Sequence, residues 1–489
     1  MMFPSGITLP LAAVSLVAGL AGVAACDSST GPDDGPPDLW IGQHKVVLRA
    51  GEEARLTALY LHSQLSGLDS VREATWRSSN TSVLRVRGDG SVTAAGAGVA
   101  TVSLEYRGER DAVEVRVVDS APAYHTEWAS VTVGFETVCA ITAGGETYCW
   151  GNDYYGAVAD GARRAWTGVY SPVRVMGGQE FSSVALGLFH VCALTPAGTA
   201  YCWGDAGAMI GLAGHESINE PRRVDFDRPF NRLAAGRNYN CGLAAGGTAY
   251  CWGVVSFGEL GDGVLGLHTR RHPYPVKTEL RFVDIRPGGP RTCALTTAGR
   301  AYCWGAGSFG ELGNGSRQTY AVPVAVSGDH IFEGITGRGH TCGRDTAGTV
   351  HCWGSNKWHQ IGMDGDLYTT PVELPPEEQF QRVIAGTVTT CGLNAAGTAY
   401  CWGLDRYGNL GAGGPAPQRC DIDQFPCSDE PLEIAGGLRF QSLSLGLKTS
   451  CGVTVDHALY CWGSNLSGQL GAGLLVESSN TPVRVVDPW

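Results

Sequence analysis

The chain has 489 residues, a length at which one hydrophobic core usually gives way to more than one domain. It carries 70 glycines, about twice the usual share of roughly 7%, with no G-X-Y period, so tight turns between short strands are indicated and collagen is excluded. Its formal charge is −12, from 35 Lys and Arg against 47 Asp and Glu, and no basic run is present that could displace counterions from nucleic acid.

In chain order, the first element is an apolar stretch from Ile7 to Ala25, and the first 25 residues carry no charged side chain. It ends at Val23-Ala24-Ala25-Cys26, which resembles the lipobox of bacterial lipoproteins. The resemblance implies a signal peptide over 1–25, a mature chain that begins at a diacylated Cys26, and export to the cell envelope, at the outer membrane or cell surface. Residues 26–38 then read as an acidic Pro/Gly tether, too polar to fold alone.

From 39 to 119 the pattern becomes apolar/polar alternation without cysteine, as strands of a sandwich require. Trp76-Arg-Ser-Ser-Asn80-Thr-Ser-Val83, Asp89-Gly-Ser-Val-Thr-Ala94 and Gly96-Ala-Gly-Val-Ala-Thr-Val102 resemble the bacterial immunoglobulin-like (Big, group 2) domain. That resemblance implies an N-terminal immunoglobulin-like β-sandwich acting as a spacer or adhesive module.

From 120 to 489 the chain repeats. Seven C-x9-C pairs stand at 139/149, 192/202, 241/251, 293/303, 342/352, 391/401 and 451/461, with a period of 49 to 53 residues until the last interval of 60. A glycine precedes each first cysteine by five residues (Gly134 to Gly446), Trp-Gly follows each second cysteine, and tyrosine precedes it in every copy but the fifth, which has His351. Each pair reads as a hairpin. In Cys192-Ala-Leu-Thr-Pro-Ala-Gly-Thr-Ala-Tyr-Cys202 a three-residue loop ends on Gly198, and glycine holds that place in six copies, with His457 in the seventh. This register sets the cysteines opposite each other at about 4.5–5.5 Å between Cα atoms, close enough to bridge. With Cys420–Cys427 the expectation is eight structural disulfides, Cys139–Cys149, Cys192–Cys202, Cys241–Cys251, Cys293–Cys303, Cys342–Cys352, Cys391–Cys401, Cys420–Cys427 and Cys451–Cys461, and an oxidising compartment. An aromatic-led strand before the hairpins (Phe181, Phe230, Phe282, Phe332, Phe380, Phe440) and a Pro-Val strand after the Gly-x-Leu-Gly-x-Gly-type loops, as in Pro172-Val-Arg-Val and Pro323-Val-Ala-Val, complete four strands per copy, the signature of a propeller blade. The final Thr481-Pro-Val-Arg-Val is expected to cross over and complete the sheet begun at Trp128, clasping the ring.

This pattern of aromatic-x-x-Val, Gly-x4-Cys, Tyr-Cys-Trp-Gly and Gly-x-Leu-Gly resembles the regulator of chromosome condensation repeat, in its cysteine-paired bacterial branch. The resemblance covers about 128–489 and implies an all-β chain, a seven-bladed β-propeller behind the immunoglobulin-like β-sandwich. Eukaryotic founders of the family exchange guanine nucleotides on a small nuclear GTPase, and bacterial relatives include a secreted β-lactamase inhibitor. A shared fold carries neither activity across.

Chemistry-bearing motifs are sparse: HExxH, GxSxG, P-loop, EF-hand and CxxC zinc-knuckle patterns are all missing from the sequence. No catalytic residue, metal or cofactor is therefore expected, and the chain reads as a binding protein rather than an enzyme. His190 and His340 share one repeat position and read as structural. Six residues past the second cysteine stand Tyr155, Phe257, Phe309, Trp358 and Tyr407, with Ala208 and Ser467 in the other two copies. Ring symmetry puts these on one face, where they form a partner-binding rim or pack under their own loops. The stapled insert of the sixth copy, about 412–431, adds Asp421, Asp423 and Phe425 at its tip. The expected function is a membrane-anchored, monomeric surface protein contacting a protein or glycan. The alternatives are nucleotide exchange, disfavoured by export and disulfides, and an unrecognised enzyme acting on cell-surface polymer.

Overall fold

The computed structural model describes residues 39–61, 68–71, 74–119, 124–162, 168–205, 217–375, 380–420, 424–473 and 475–488. The apolar stretch, Cys26 and the tether lie outside them. The chain is all-β, with a single 3-10 turn, Ala245–Gly247, among the described residues.

Residues 39–118 build three small sheets. In the largest, Gly98–Tyr106 and Glu109–Val118 pair antiparallel through Arg107-Gly108, both at positive φ (52° and 91°), the two-residue turn whose twist matches a hairpin. Thr75–Ser78 adds antiparallel and Val46–Arg49 parallel. Alternation then sends Trp76, Val102, Leu104, Val113 and Val115 into one core.

Beyond Trp128, each repeat copy forms its own sheet around a four-stranded antiparallel meander, and seven such sheets follow one another among the described residues, the first and the sixth carrying a fifth strand at the outer edge. The first runs Trp128–Val133, Thr137–Thr142, Thr147–Asn152, Gly168–Arg174. The hairpin register is the one the turn glycine dictates, with Cys192 opposite Cys202 and Gly198 at φ 80°. The sulfurs of all eight pairs stand at disulfide distance. Cα separations are 4.0–4.1 Å for the seven C-x9-C pairs, tighter than expected because the cysteines fall at the closely spaced positions of the ladder, and 5.9 Å for Cys420–Cys427.

Each sheet packs face to face on the next. Trp150, Trp203, Trp252, Trp304, Trp353, Trp402 and Trp462 are fully buried at these junctions. At about 25 cal/mol per Å² over roughly 150–250 Å², each contributes about 4–6 kcal/mol as an upper figure. One cluster joins Val138 and Trp150 of the first sheet to Val453, Leu459 and Leu470 of the seventh copy, so the last sheet packs on the first.

The expected crossover of the C-terminal strand does not occur. Ser478–Arg484 pairs with Leu459–Ser464 of its own copy, and the first sheet takes its fourth strand from Gly168–Arg174, which holds its own Pro172-Val173. The reason is local: aromatic strand, hairpin and Pro-Val strand already make one complete meander, so no copy is left with a vacancy to fill. Side chains and turns close the gap instead. Trp128 N donates to His457 O at 2.9 Å, Val133 N to Ser444 Oγ at 2.9 Å, and Lys448 Nζ pairs with Glu136 at 3.1 Å.

The small N-terminal unit is docked on this array. Gln43–His44 pairs parallel with the outer strand of the first sheet, and Ser171 Oγ donates to Lys45 O at 2.7 Å.

Candidate functional site

Two surfaces concentrate side chains with recognition chemistry: the loops after the third strands, and the axial cavity. In the loops a repeated bond sets the backbone. The N–H six residues past the second cysteine donates to the side chain two residues on: Phe257 to Glu259 at 2.7 Å, Phe309 to Glu311 at 2.8 Å, Trp358 to Gln360 at 2.8 Å, and Ser467 to Gln469 at 2.9 Å. Burial pushes the Glu259 carboxyl up, against the lowering effect of these amide donors. The following glycine seats the loop on the next sheet. A Cβ on Gly258 would lie 2.8 Å from Ala321 Cα, and one on Gly310 2.9 Å from Thr369 Cα.

The five aromatic positions do not behave alike. Phe257 and Phe309 are 49% and 59% exposed. Tyr155 is packed, 4.2 Å from the Tyr154 ring and 5.1 Å from Phe189. Trp358 lies 6.4 Å from Phe425, whose ring carries the Arg406 guanidinium at 4.2 Å, and Arg406 and Lys448 sit 5.3 and 5.7 Å from the Tyr407 ring. The insert and the aromatic positions, separate candidates in the sequence, therefore make one patch of Trp358, Phe425, Arg406 and Tyr407. Phe425 is not held at a free tip, because Gln418–Cys420 and Phe425–Glu433 pair as a hairpin that lays it against Trp358. Asp421, Asp423 and Ala208 lie outside the described residues.

Sequence reasoning missed an apolar loop beside Phe257. Val264, Leu265 and Leu267 are 38%, 58% and 78% exposed, and Leu265 Cδ2 would stand 3.1 Å from a Cβ on Gly258. The signal was present as Val264-Leu265-Gly266-Leu267, an apolar run between a turn motif and an outer strand. Phe309 on the next copy and Leu466 on the seventh, 42% exposed, add further exposed apolar side chains in the equivalent loops.

The axial cavity, about 610 Å³, is lined by the first strand of every one of the seven sheets, from Val131 and Leu186 round to Ser444. Asp284 holds Arg232 at 2.7 Å and Arg286 at 3.1 Å, and Glu333 pairs with Arg344. Arg338 reaches from the fifth sheet to Leu186 O of the second at 3.2 Å, and burial draws its guanidinium down to about 10, still charged at neutral pH.

His190 and His340 are buried between sheets. Their Nε2 atoms meet Asn240 Oδ1 at 3.0 Å and Thr390 Oγ1 at 2.6 Å, and burial lowers the rings to about 4 and about 3. At the other end of the fifth sheet, His330, Asp345 and His351 bring one ligand atom each within 4.8 Å of one another.

Comparison with known proteins gives this geometry relatives. Residues 298–343, and separately 181–207 and 440–469, match families described as Regulator of chromosome condensation (RCC1) repeat. The Ultraviolet-B receptor UVR8 of Arabidopsis thaliana is 26% identical over 198 residues, 40% of this chain and 33% of the receptor. The E3 ubiquitin-protein ligase HERC2 of Homo sapiens is 28% identical over 195 residues, 38% of this chain but 4% of the ligase. The chain thus spans no more than a third of either of these curated relatives. Prp20p from Saccharomyces cerevisiae superposes with a TM-score of 0.62 at 21% identity, covering 76% of this chain and 91% of that one. Human WBSCR16 gives 0.61 at 21% identity, over 70% and 94%. Three segments of the chain thus match the regulator of chromosome condensation repeat, and the chain has the RCC1-like propeller fold.

Proposed function

We propose that this chain is an exported binding protein, not an enzyme: a monomeric seven-bladed propeller that presents its loop end to a protein partner. An immunoglobulin-like module carries it, and a lipid on Cys26 tethers it to the cell envelope. The exposed side chains of Phe257, Leu265, Leu267 and Phe309, in equivalent loops of adjacent copies on a scaffold of buried tryptophans and paired cysteines, carry this reading. Solvent-facing apolar side chains of this size mark contact surfaces, and aromatic anchors on rigid loops dominate binding energies. The adjoining Trp358–Phe425–Arg406 patch adds cation–π and guanidinium chemistry at its edge. Prp20p of yeast binds Gsp1p and histones, which supports a protein over a glycan as the partner here. The cysteine pairs accord with an oxidising compartment.

The test is affinity capture with the oxidised chain from Asp27 onward, set against Phe257→Ala/Phe309→Ala and Trp358→Ala variants. A partner retained saturably by the wild type and lost at least about tenfold with the double variant supports the surface. A partner held equally by all three removes it.

A further inference from the structure

The fifth copy departs from the repeat at three places that meet in space. Where six copies have tyrosine before the second cysteine, it has His351. Where Thr142, Thr195, Thr296 and Thr454 close the hairpin turn with a hydroxyl, it has Asp345. In the connection from the fourth sheet it has His330.

The turn needs only one acceptor from Asp345. Oδ1 provides it, receiving Ala347 N at 3.0 Å and Thr349 N at 2.9 Å. A threonine would stop there; the carboxylate has a second oxygen, and Oδ2 meets His351 Nε2 at 3.0 Å. The His330 ring centroid lies 4.2 Å from that of His351, and no hydrogen bond among the described residues uses the His330 ring. The repeat scaffold requires none of these three side chains, since the other six copies fold without them.

We propose that His330, Asp345 and His351 form a binding site for a divalent transition-metal ion of the zinc class, at the end of the fifth sheet opposite Trp358. Two imidazole nitrogens and one carboxylate oxygen are the donors such ions take, whereas magnesium and calcium prefer oxygen throughout. Tetrahedral zinc with ligands at about 2.0–2.1 Å sets its donor atoms about 3.4 Å apart. The three atoms here, within 4.8 Å of one another, close to that spacing by side-chain rotation of the partly exposed His330. The amides of Ala347 and Thr349 orient the carboxylate from behind, as hydrogen-bond donors to ligating carboxylates do in metal sites. Three protein ligands leave a position for water or for a side chain of a second molecule. No knuckle spacing announces the site, because its residues sit at 330, 345 and 351.

The experiment is titration of the chelator-stripped, oxidised full chain with Zn²⁺ by calorimetry and with Co²⁺ by visible absorption. One ion per chain is expected, with the cobalt spectrum of a tetrahedral or five-coordinate site and no response to Mg²⁺. His351→Tyr restores the residue of the other six copies and so keeps the fold. It and His330→Ala are each expected to weaken Zn²⁺ binding about tenfold or more, with unchanged circular dichroism. No saturable Zn²⁺ binding by the wild type, or a His351→Tyr variant that binds as the wild type does, overturns the site.

Discussion

Trp150 Nε1 donates to the main-chain oxygen of Gln469 at 2.9 Å, across 319 positions of sequence. The same bond joins neighbouring copies elsewhere: Trp203 to Ala157 at 2.8 Å, Trp304 to Glu259 at 2.8 Å, Trp353 to Glu311 at 3.1 Å and Trp462 to Asn409 at 3.0 Å. The junction between the last and first sheets is therefore made by the same chemistry as the internal ones, with no shared strand. In these five copies the tryptophan after the second cysteine is a fastener, with its ring filling the junction and its N–H tying down the previous loop.

That bond can be isolated. Trp402 is equally buried, but its Nε1 has no hydrogen-bond partner among the described residues. Trp150→Phe and Trp402→Phe remove similar apolar volume, and only the first also strands a buried carbonyl. The first is expected to lose about 1–2 kcal/mol more stability in denaturant unfolding. Equal losses would mean that the junction between the last and first sheets is held by packing alone.

The turn glycines separate backbone strain from crowding. Gly145 and Gly198 hold the same place in their hairpins at φ 87° and 80°. A Cβ on Gly145 meets nothing within 4 Å, while one on Gly198 lies 2.6 Å from Phe230 O in the next sheet. Gly145→Ala is expected to cost about 1–2 kcal/mol, the left-handed penalty. Gly198→Ala should cost clearly more, read as a larger fall in melting temperature. The reverse order would place the next sheet farther away than it is here.

How much of this could be read from the residues follows the range of the forces involved. Cys192 opposite Cys202 was legible because a turn three residues long decides it, and the glycine at φ 80° announces the turn. The fate of Thr481-Pro-Val was not, since identical repeats leave two partners for one strand, and the Trp128 sheet is the wrong one of the two. Phe425 on Trp358 was illegible for a related reason: 67 residues separate them, by difference of their numbers, and nothing local says which way a stapled hairpin leans. The tryptophans were visible as a motif, but their carbonyl partners belong to the neighbouring copy and emerge only once the sheets are packed.

Acid should loosen the junctions through two buried imidazoles. Burial lowers His190 to about 4 and His340 to about 3, so both stay neutral when folded, while the unfolded chain takes up protons below about 6.5. The unfolded state thus binds more protons as pH falls from about 6.5 toward these values, and stability drops through that window by an order of magnitude of 3 kcal/mol per residue. Thr389 and Thr449 hold the equivalent place in other copies, so His340→Thr is a native-like replacement. Its stability between pH 6.5 and 4 should change less steeply than that of the wild type, whatever its starting value. Parallel curves would show that His340 is not the group responsible.

Beside the Gln43–His44 pairing, the small unit makes one close approach to the loop at Gly473. Val47 N donates to Gly473 O at 3.2 Å, and a Cβ on Gly473 would lie 2.5 Å from Val47 Cβ. Gly315 occupies the same repeat position at φ 78°, close to the 72° of Gly473, with its nearest neighbours at 3.7 Å. Ala at either position incurs the same turn strain, and only Gly473→Ala also pushes against the small unit. Calorimetry should show one shifted transition for Gly315→Ala, and for Gly473→Ala a separate earlier transition as residues 39–118 release and unfold on their own. Protease should then cut the Gly473→Ala variant between the two units sooner than the Gly315→Ala variant. Identical traces would mean that the parallel pairing of Gln43–His44 with the first sheet holds the unit in place without help from this contact.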